Sequence, residues 1–482
     1  MKPNFITKQS VQYRVWDQNQ CAEVVNATFR VLERTGCLVQ NEKARELMKE
    51  AGCLIDGDRV RIPASLMEWA VNSAPSQLTF YNQSGQPAAK LAPYEVNFGP
   101  TMGDTFILDS ETGQKRRGLK SDCAKAAMVC DALPNVTYAS GLTLVSDCNP
   151  DLAEVYEIRH ALPNTTKPMM CWSHSLENFA SVVEMFEAVA GGSQKLAERP
   201  RALCLICPVD PLIHTDNGLS QVMYAAEKRF PVVYIAGISF GCVGPVTAAG
   251  TIAVGMADTL VGLLVSQLTR KGAPFVASKF CDNMNMRTGN VTHSRPELHL
   301  ANSASADVFR YLKLPFALNT LGTDASCINQ QYIFDAATNC YDAWLCGSNW
   351  NWGMGVLEGG NSSCLEGLVF YDEAIGFTSR LTEGIEVSPY TLAEDIIDRV
   401  GPGGNFFAEE QTAKHVRSFW EPYALASQSH DQWIAGGKKD VDSFVKEKVK
   451  EILAKGPQTS LSDDVLNELD AIVARAEKRI AK

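Results

Sequence analysis

Through the middle of the chain one arrangement repeats: a short apolar run, a polar or glycine-rich loop, then a stretch with apolar residues at helical spacing. The runs predict strands over residues 96–100, 136–144, 168–172, 202–207, 232–238, 274–280, 316–320 and 349–354. Helical stretches such as 122–131, 176–190, 219–228 and 301–312 lie between them. Nearly continuous apolar strands joined by crossovers of this length are parallel and covered on both faces. Eight such units in series are what a closed (β/α)8 TIM barrel requires. A doubly wound open sheet is the alternative, but no G-x-G-x-x-G or Walker sequence follows any run, so the phosphate turn that would favour it is missing.

The flanks are patterned differently. Residues 1–93 predict a helical cap: Val25, Phe29 and Leu32 recur at helical spacing before Gly36, and Ala44, Leu47, Met48 and Ala51 do so before Gly52. Asp56-Gly57 predicts a turn between two short extended pieces. The barrel is expected over 94–388 and a helical extension over 389–482, where the strand signal fades and Gly401-Pro402-Gly403-Gly404 marks a connection. Val465, Leu469, Ile472, Ala476 and Ile480 form an apolar stripe behind the acidic turn Asp463-Asp464, which predicts a helix docked on its own barrel or on a twin subunit. The most apolar long stretch, 246–268, carries Asp258, Gly250, Gly255 and Gly262, and so reads as a buried helix rather than a membrane span.

Charge narrows the partners. A net charge of −11 over 482 residues argues against nucleic acid and anionic membranes, which need a basic face. The opening Met1-Lys2-Pro3-Asn4-Phe5 has no apolar run behind a positive region, so no secretory signal is expected. Fifteen cysteines without framework spacing suit the reduced thiols of a cytoplasmic protein. No metal site is expected: Cys204 and Cys207 form a lone C-x-x-C whose thiols leave a strand on opposite faces, and there is no H-x-x-H or H-E-x-x-H. No G-x-S-x-G marks a nucleophile.

Chemistry in such a barrel gathers at the carboxyl ends of the strands. Those ends carry Phe98, Thr101 and Met102; Leu144 and Asp147; Trp172 and His174; Cys207 and Asp210; Phe240; Asn283 with Arg287; Asp324; and finally Trp350 and Trp352. In the last run, Asn349 and Asn351 alternate with the two tryptophans before Gly353, Gly355, Gly359 and Gly360, so both indoles share one face. Aromatic faces beside a glycine-lined mouth suit a permanent cation; packing beneath a helix is the plainer role for the indoles. Obvious acid–base couples are absent, and Lys279 is the one lysine placed for a Schiff base.

Leu32-Glu33-Arg34-Thr35-Gly36, Ala51-Gly52 and the segment from Asp56 to Pro63 resemble the amino-terminal region of the trimethylamine methyltransferase family. Further matches, in the same order, are Asp109 to Arg117, Asp131-Ala132-Leu133-Pro134-Asn135, Pro208-Val209-Asp210-Pro211-Leu212, Gly244 to Gly250 and Gly322-Thr323-Asp324-Ala325. The founding members use pyrrolysine and demethylate trimethylamine. With only standard residues, this chain resembles the non-pyrrolysine branch, whose members demethylate quaternary amines such as glycine betaine, proline betaine, carnitine and γ-butyrobetaine. The resemblance implies a barrel enzyme without a tightly bound cofactor that passes a methyl group to the cobalt(I) of a cobalamin held by a separate corrinoid protein. Where many relatives carry Asp and Glu after the Thr-Asp-Ala segment, this chain has Asn329 and Asp335, so that acidic pair is not carried over. The expected substrate-binding residues are Trp350, Trp352, Trp172, Phe98 and Asp324, with His174 and Arg287 as anchors for a substrate carboxylate. The competing readings are an osmolyte-binding or regulatory protein without turnover and a Schiff-base barrel lyase. A homo-oligomer is the default assembly.

Overall fold

The structure, a computed structural model, describes residues 13–425, 428–457 and 461–481, so the start of the chain read above lies outside the described residues. Seven parallel strands curl into a barrel: β1 (Asn97–Pro100), β2 (Met169–Trp172), β3 (Ala202–Ile206), β4 (Val232–Ser239), β5 (Phe275–Met284), β6 (Phe316–Asn319) and β7 (Trp350–Met354). Each pairs with the next from β2 to β7, and β7 pairs with β1. The eighth place belongs to 136–144, which is not the regular strand its apolar run predicts. It closes the ring through single bonds: Thr137 N–H donates to Phe98 O at 2.7 Å, and Met170 N–H to Ala139 O at 2.9 Å. Leu142 turns into the left-handed region at φ 68°, which no ladder tolerates. The apolar run therefore marks a barrel stave, as expected, but not a continuous strand.

Eight helices follow the staves: α1 (Lys120–Ala132), α2 (Ala153–Ala161), α3 (Leu176–Ala190), α4 (Asp216–Lys228), α5 (Ala248–Thr269), α6 (Pro296–Tyr311), α7 (Gln330–Cys346) and α8 (Leu365–Thr382). The apolar α5 is long and hydrophobic enough to cross a membrane, yet it is packed inside this fold among β4, β5, α4 and the cap. Two later helices, α9 (Val441–Lys455) and α10 (Asp463–Ile480), dock on the same chain. Leu469, Ile472 and Ala476 of α10 are buried, and Arg475 meets Glu184 of α3 at 3.1 Å.

The cap is mixed rather than helical. Helices Gln18–Arg34, Glu42–Glu50 and Ala64–Ser73 surround a small sheet, which also takes in Ile213–His214 from the loop after β3. A hairpin, Leu78–Tyr81 with Pro87–Leu91, plugs the barrel floor with Phe80 and Leu91 against Trp350 and its inward neighbours Tyr138 and Met170. Side chains thus fill the lower barrel, as this architecture demands.

An acidic pair, Asp258 buried and Asp210 half-buried, sits beside the mouth. Asp210 accepts from Gly237 N–H at 2.7 Å and lies against Asp258 of α5, which accepts from Leu212 N–H at 2.8 Å. Burial, then the neighbouring charge of Asp210, pushes the Asp258 carboxyl up to about 9. His214, 3.6 Å from Asp258, is pushed down to about 3 by burial and is neutral, so the approach is not an ion pair. Folding therefore holds a proton that the unfolded chain releases near pH 4. This contribution to stability is complete below that value and is lost as pH rises towards 9. Asp258→Asn keeps the acceptor without the titration, so the melting temperature of the native protein should fall relative to the variant between pH 6 and 9. Parallel melting curves across that range would refute the assignment.

Candidate functional site

At the carboxyl ends of the strands a pocket of about 270 Å³ is lined by Thr101, Met102, Gly103, Leu144, Trp172, Leu205 and Trp352. Its position follows from parity. On β7 the indoles of Trp350 and Trp352 both point into the barrel, but two residues along a strand is a rise of about 6.6 Å. Trp350 is therefore part of the floor, stacked on Tyr138 with ring centroids 4.0 Å apart, whereas Trp352 reaches the mouth. Across from it, Trp172 is the last residue of β2 and faces the same space. Gly103, at φ 71°, brings its backbone against this indole; a β-carbon there would lie 3.4 Å from Trp172 Nε1.

Behind two of the polar atoms of the wall, those of Trp172 and Thr101, stands a buried carboxyl. Trp172 Nε1–H donates to Glu157 Oε2 at 2.8 Å, and Gly141 N–H donates to Glu157 Oε1 at 3.2 Å. Burial pushes Glu157 up to about 8, against the pull of these two bonds. Thr101 Oγ1–H donates to Asp104 Oδ1 at 3.3 Å, and Asp104 Oδ2 is buried without a hydrogen-bond partner. Burial holds Asp104 well above the ordinary carboxyl range, and the charge of Glu157 raises it further. The pocket thus has aromatic and aliphatic walls, with acidic groups one bond behind them. None of its lining side chains titrates near neutral pH.

The other expected site residues lie elsewhere. Phe98 faces outward, its ring 5.2 Å from Trp344 of α7, because the inward positions of this stave are Asn97, Gly99, which lies against Tyr138, and Thr101. His174 Nδ1 is 2.8 Å from Glu154 Oε1, and Glu154 also accepts from Ser173 and Asn178. Asp324 accepts from the backbone N–H groups of His293 and Ser294, at 2.7 and 3.2 Å, and so fixes the loop entering α6. Arg287 is exposed at the tip of the hairpin that β5 makes with Val291–Thr292. Gly353 lies at the irregularity in β7, and Gly355 and Gly359 in the turns beyond it: added β-carbons would come within 2.9–3.1 Å of neighbouring atoms. Lys279 points away from the lumen, buried with Nζ 3.2 Å from Ser305 Oγ of α6, so the Schiff-base reading loses its lysine. Asn329 caps α7, accepting from Tyr332 N–H at 3.0 Å, and Asp335 accepts from Ser294 at 2.6 Å. Among the described residues no cluster of His, Cys, Asp and Glu could hold a metal ion.

Sequence reasoning missed Glu157, Asp104, Gly103 and Leu205. A trace of the first was visible: Glu154 and Glu157, one turn apart, share a helix face with Val155 and Ile158 close by, and carboxylates on an apolar face have to be satisfied from outside their helix.

The sequence pattern of the family described as trimethylamine methyltransferase (MTTB) matches residues 1–481. The chain is 28% identical to a trimethylamine methyltransferase of Desulfitobacterium hafniense (strain DSM 10664 / DCB-2), over 94% of this chain and 91% of the relative. It is 24% identical to a glycine betaine methyltransferase of Desulfitobacterium hafniense (strain Y51), over 98% of each. Among solved structures, the Methanosarcina barkeri monomethylamine methyltransferase superposes with a TM-score of 0.54 at 12% identity, covering 92% of this chain and 89% of that one, and so shares the fold.

Proposed function

We propose, since this chain belongs to the trimethylamine methyltransferase family, that its mouth pocket holds a quaternary ammonium and presents one N-methyl group to the cobalt(I) of a separate corrinoid protein. The coarser activity, methyl transfer from a methylated amine, follows the family. The observation that carries the finer reading is a mouth pocket walled by Trp172 and Trp352 with no titrating side chain in its lining. A quaternary nitrogen already bears its charge and leaves as a neutral tertiary amine, so no general acid is needed. The chain's own work is to hold the cation against two indole faces, exclude water with Leu144, Leu205 and Met102, and aim one methyl outward. The corrinoid cobalt, a co-substrate, supplies the nucleophile.

The carboxylate of a betaine-type donor points out through the mouth in this reading, towards water and the exposed hairpin bearing Arg287; His174 is committed to Glu154. The test is to mix the protein with reduced corrinoid protein and a panel of quaternary amines, among them tetramethylammonium, glycine betaine, proline betaine and carnitine. Decay of the cobalt(I) absorption with at least one supports the proposal. Tight binding of a quaternary amine without decay would favour an osmolyte-binding protein, and absence of both sinks the site.

Glu157 gives the pocket a pH dependence. A bound cation favours the ionised carboxylate behind Trp172, while the empty site keeps it protonated up to about pH 8. Affinity for tetramethylammonium should therefore rise several-fold between pH 7 and 9, and Glu157→Gln should flatten that rise while still accepting the indole hydrogen bond. A variant as pH-dependent as the native protein would exclude this role.

A further inference from the structure

More than half of the large apolar side chains left exposed on the described residues fall in one stretch, Phe377 to Tyr423. Ile385 is 93% exposed, Phe407 87%, Val387 76% and Phe419 67%. The stretch forms three short helices, Pro389–Leu392, Glu394–Val400 and Glu410–His415, and none of them buries a residue. It continues directly from α8, and its far end is pinned back on that helix. Trp420 packs on Phe377 of α8 with ring centroids 5.4 Å apart, and Glu373 of α8 accepts from the backbone N–H groups of Tyr423, Ala424 and Leu425 at 3.1–3.3 Å. The result is an arm held out from the barrel with its apolar residues uncovered.

We infer that this arm is the interface between two copies of this chain. Its place in the fold argues against the methyl acceptor as occupant. A helix following a barrel strand runs back to the barrel floor, and α8 does so: Asp372 accepts from the N–H of Asn135, the residue just before the eighth stave begins, at 2.7 Å. The arm leaves from the turns beyond Asp372, at the pole opposite the pocket, whereas a methyl acceptor must reach the mouth. Its size suits a permanent partner. A dozen large apolar side chains, 37–93% exposed, offer on the order of 1,000 Å² per copy, against roughly 800 Å² per partner in a standard interface. Helices with no buried face of their own gain packing only from what covers them, which describes an obligate contact. A two-fold axis lets the same patch cover itself.

The test is the mass of the full-length protein by light scattering, from micromolar concentration upward. A dimer or larger closed assembly of the 52.6 kDa chain is expected. Ile385→Asp with Phe407→Asp, two exposed positions, should shift it to the monomer mass without changing the circular dichroism spectrum. Hydrogen exchange should show amides of the three arm helices protected in the native protein and unprotected in the variant. A native protein of monomer mass overturns the inference, as does a variant that stays assembled with its arm protected. So does an arm that becomes protected only when corrinoid protein is added.

Discussion

Trp350→Ala is expected to lower the unfolding free energy by about 3–5 kcal/mol, the range for deleting a large aromatic from a packed interior. Trp350 is fully buried and stacks on Tyr138, while Phe80 of the floor hairpin tilts against it at 5.0 Å and Met170 Sδ lies 3.2 Å from its Nε1. Removing the indole therefore unseats the plug, the eighth stave and β2 together, and no inward neighbour can collapse into the space without leaving its own stave. The measurement is denaturant unfolding at constant slope. A midpoint within experimental error of the native protein's would remove Trp350 from the core. The folded fraction of the variant should still bind tetramethylammonium, because the ligand pocket lies above this layer.

Trp352→Ala combined with Trp172→Ala reverses that balance: the fold is retained and binding is lost. Each cation–π contact is worth about 0.5–2 kcal/mol, the upper figure applying where water is excluded, so single variants should raise KM roughly 3- to 30-fold and the pair roughly 10- to 1,000-fold. Their kcat should not fall in proportion, because the positive charge is disappearing from nitrogen in the transition state and interactions lost there contribute nothing to the rate. Phenylalanine at either position should restore part of the affinity. Titration calorimetry with tetramethylammonium gives the affinities, and cobalt(I) decay gives kcat. If kcat collapses while KM holds, the indoles act on the reacting geometry rather than on binding.

These two predictions divide a pair of residues that the sequence presents as equivalent. Period-two alternation placed Trp350 and Trp352 on one face and both asparagines on the other, and the fold has them so: Asn349 and Asn351 bond backbone carbonyls between β7 and its neighbours. Alternation says nothing of depth, however, and the floor hairpin that decides which indole is covered lies more than two hundred residues earlier. Phe98 was misplaced for a different reason: on β1 the lumen side carries Asn97 and Gly99 while the aromatic lies under α7, the reverse of the arrangement on β7. His174 and Asp324 were drawn from the right strand ends, and Lys279 from what proved the middle of β5, but their partners Glu154, His293 with Ser294, and Ser305 come from other elements, and such pairings have no local signal. The barrel itself was legible because its signal is repeated. The cap's sheet was legible only in part: the turn at Asp56-Gly57 separates two of its strands, but its fourth strand, Ile213–His214, belongs to a barrel loop.

The most direct check on the whole account is a crystal structure of the protein with tetramethylammonium bound. The account predicts the nitrogen within about 6 Å of the ring centroids of both Trp172 and Trp352, with one methyl group facing the open mouth. An empty mouth pocket with the cation seated elsewhere, or a cation there that touches neither indole, would contradict it.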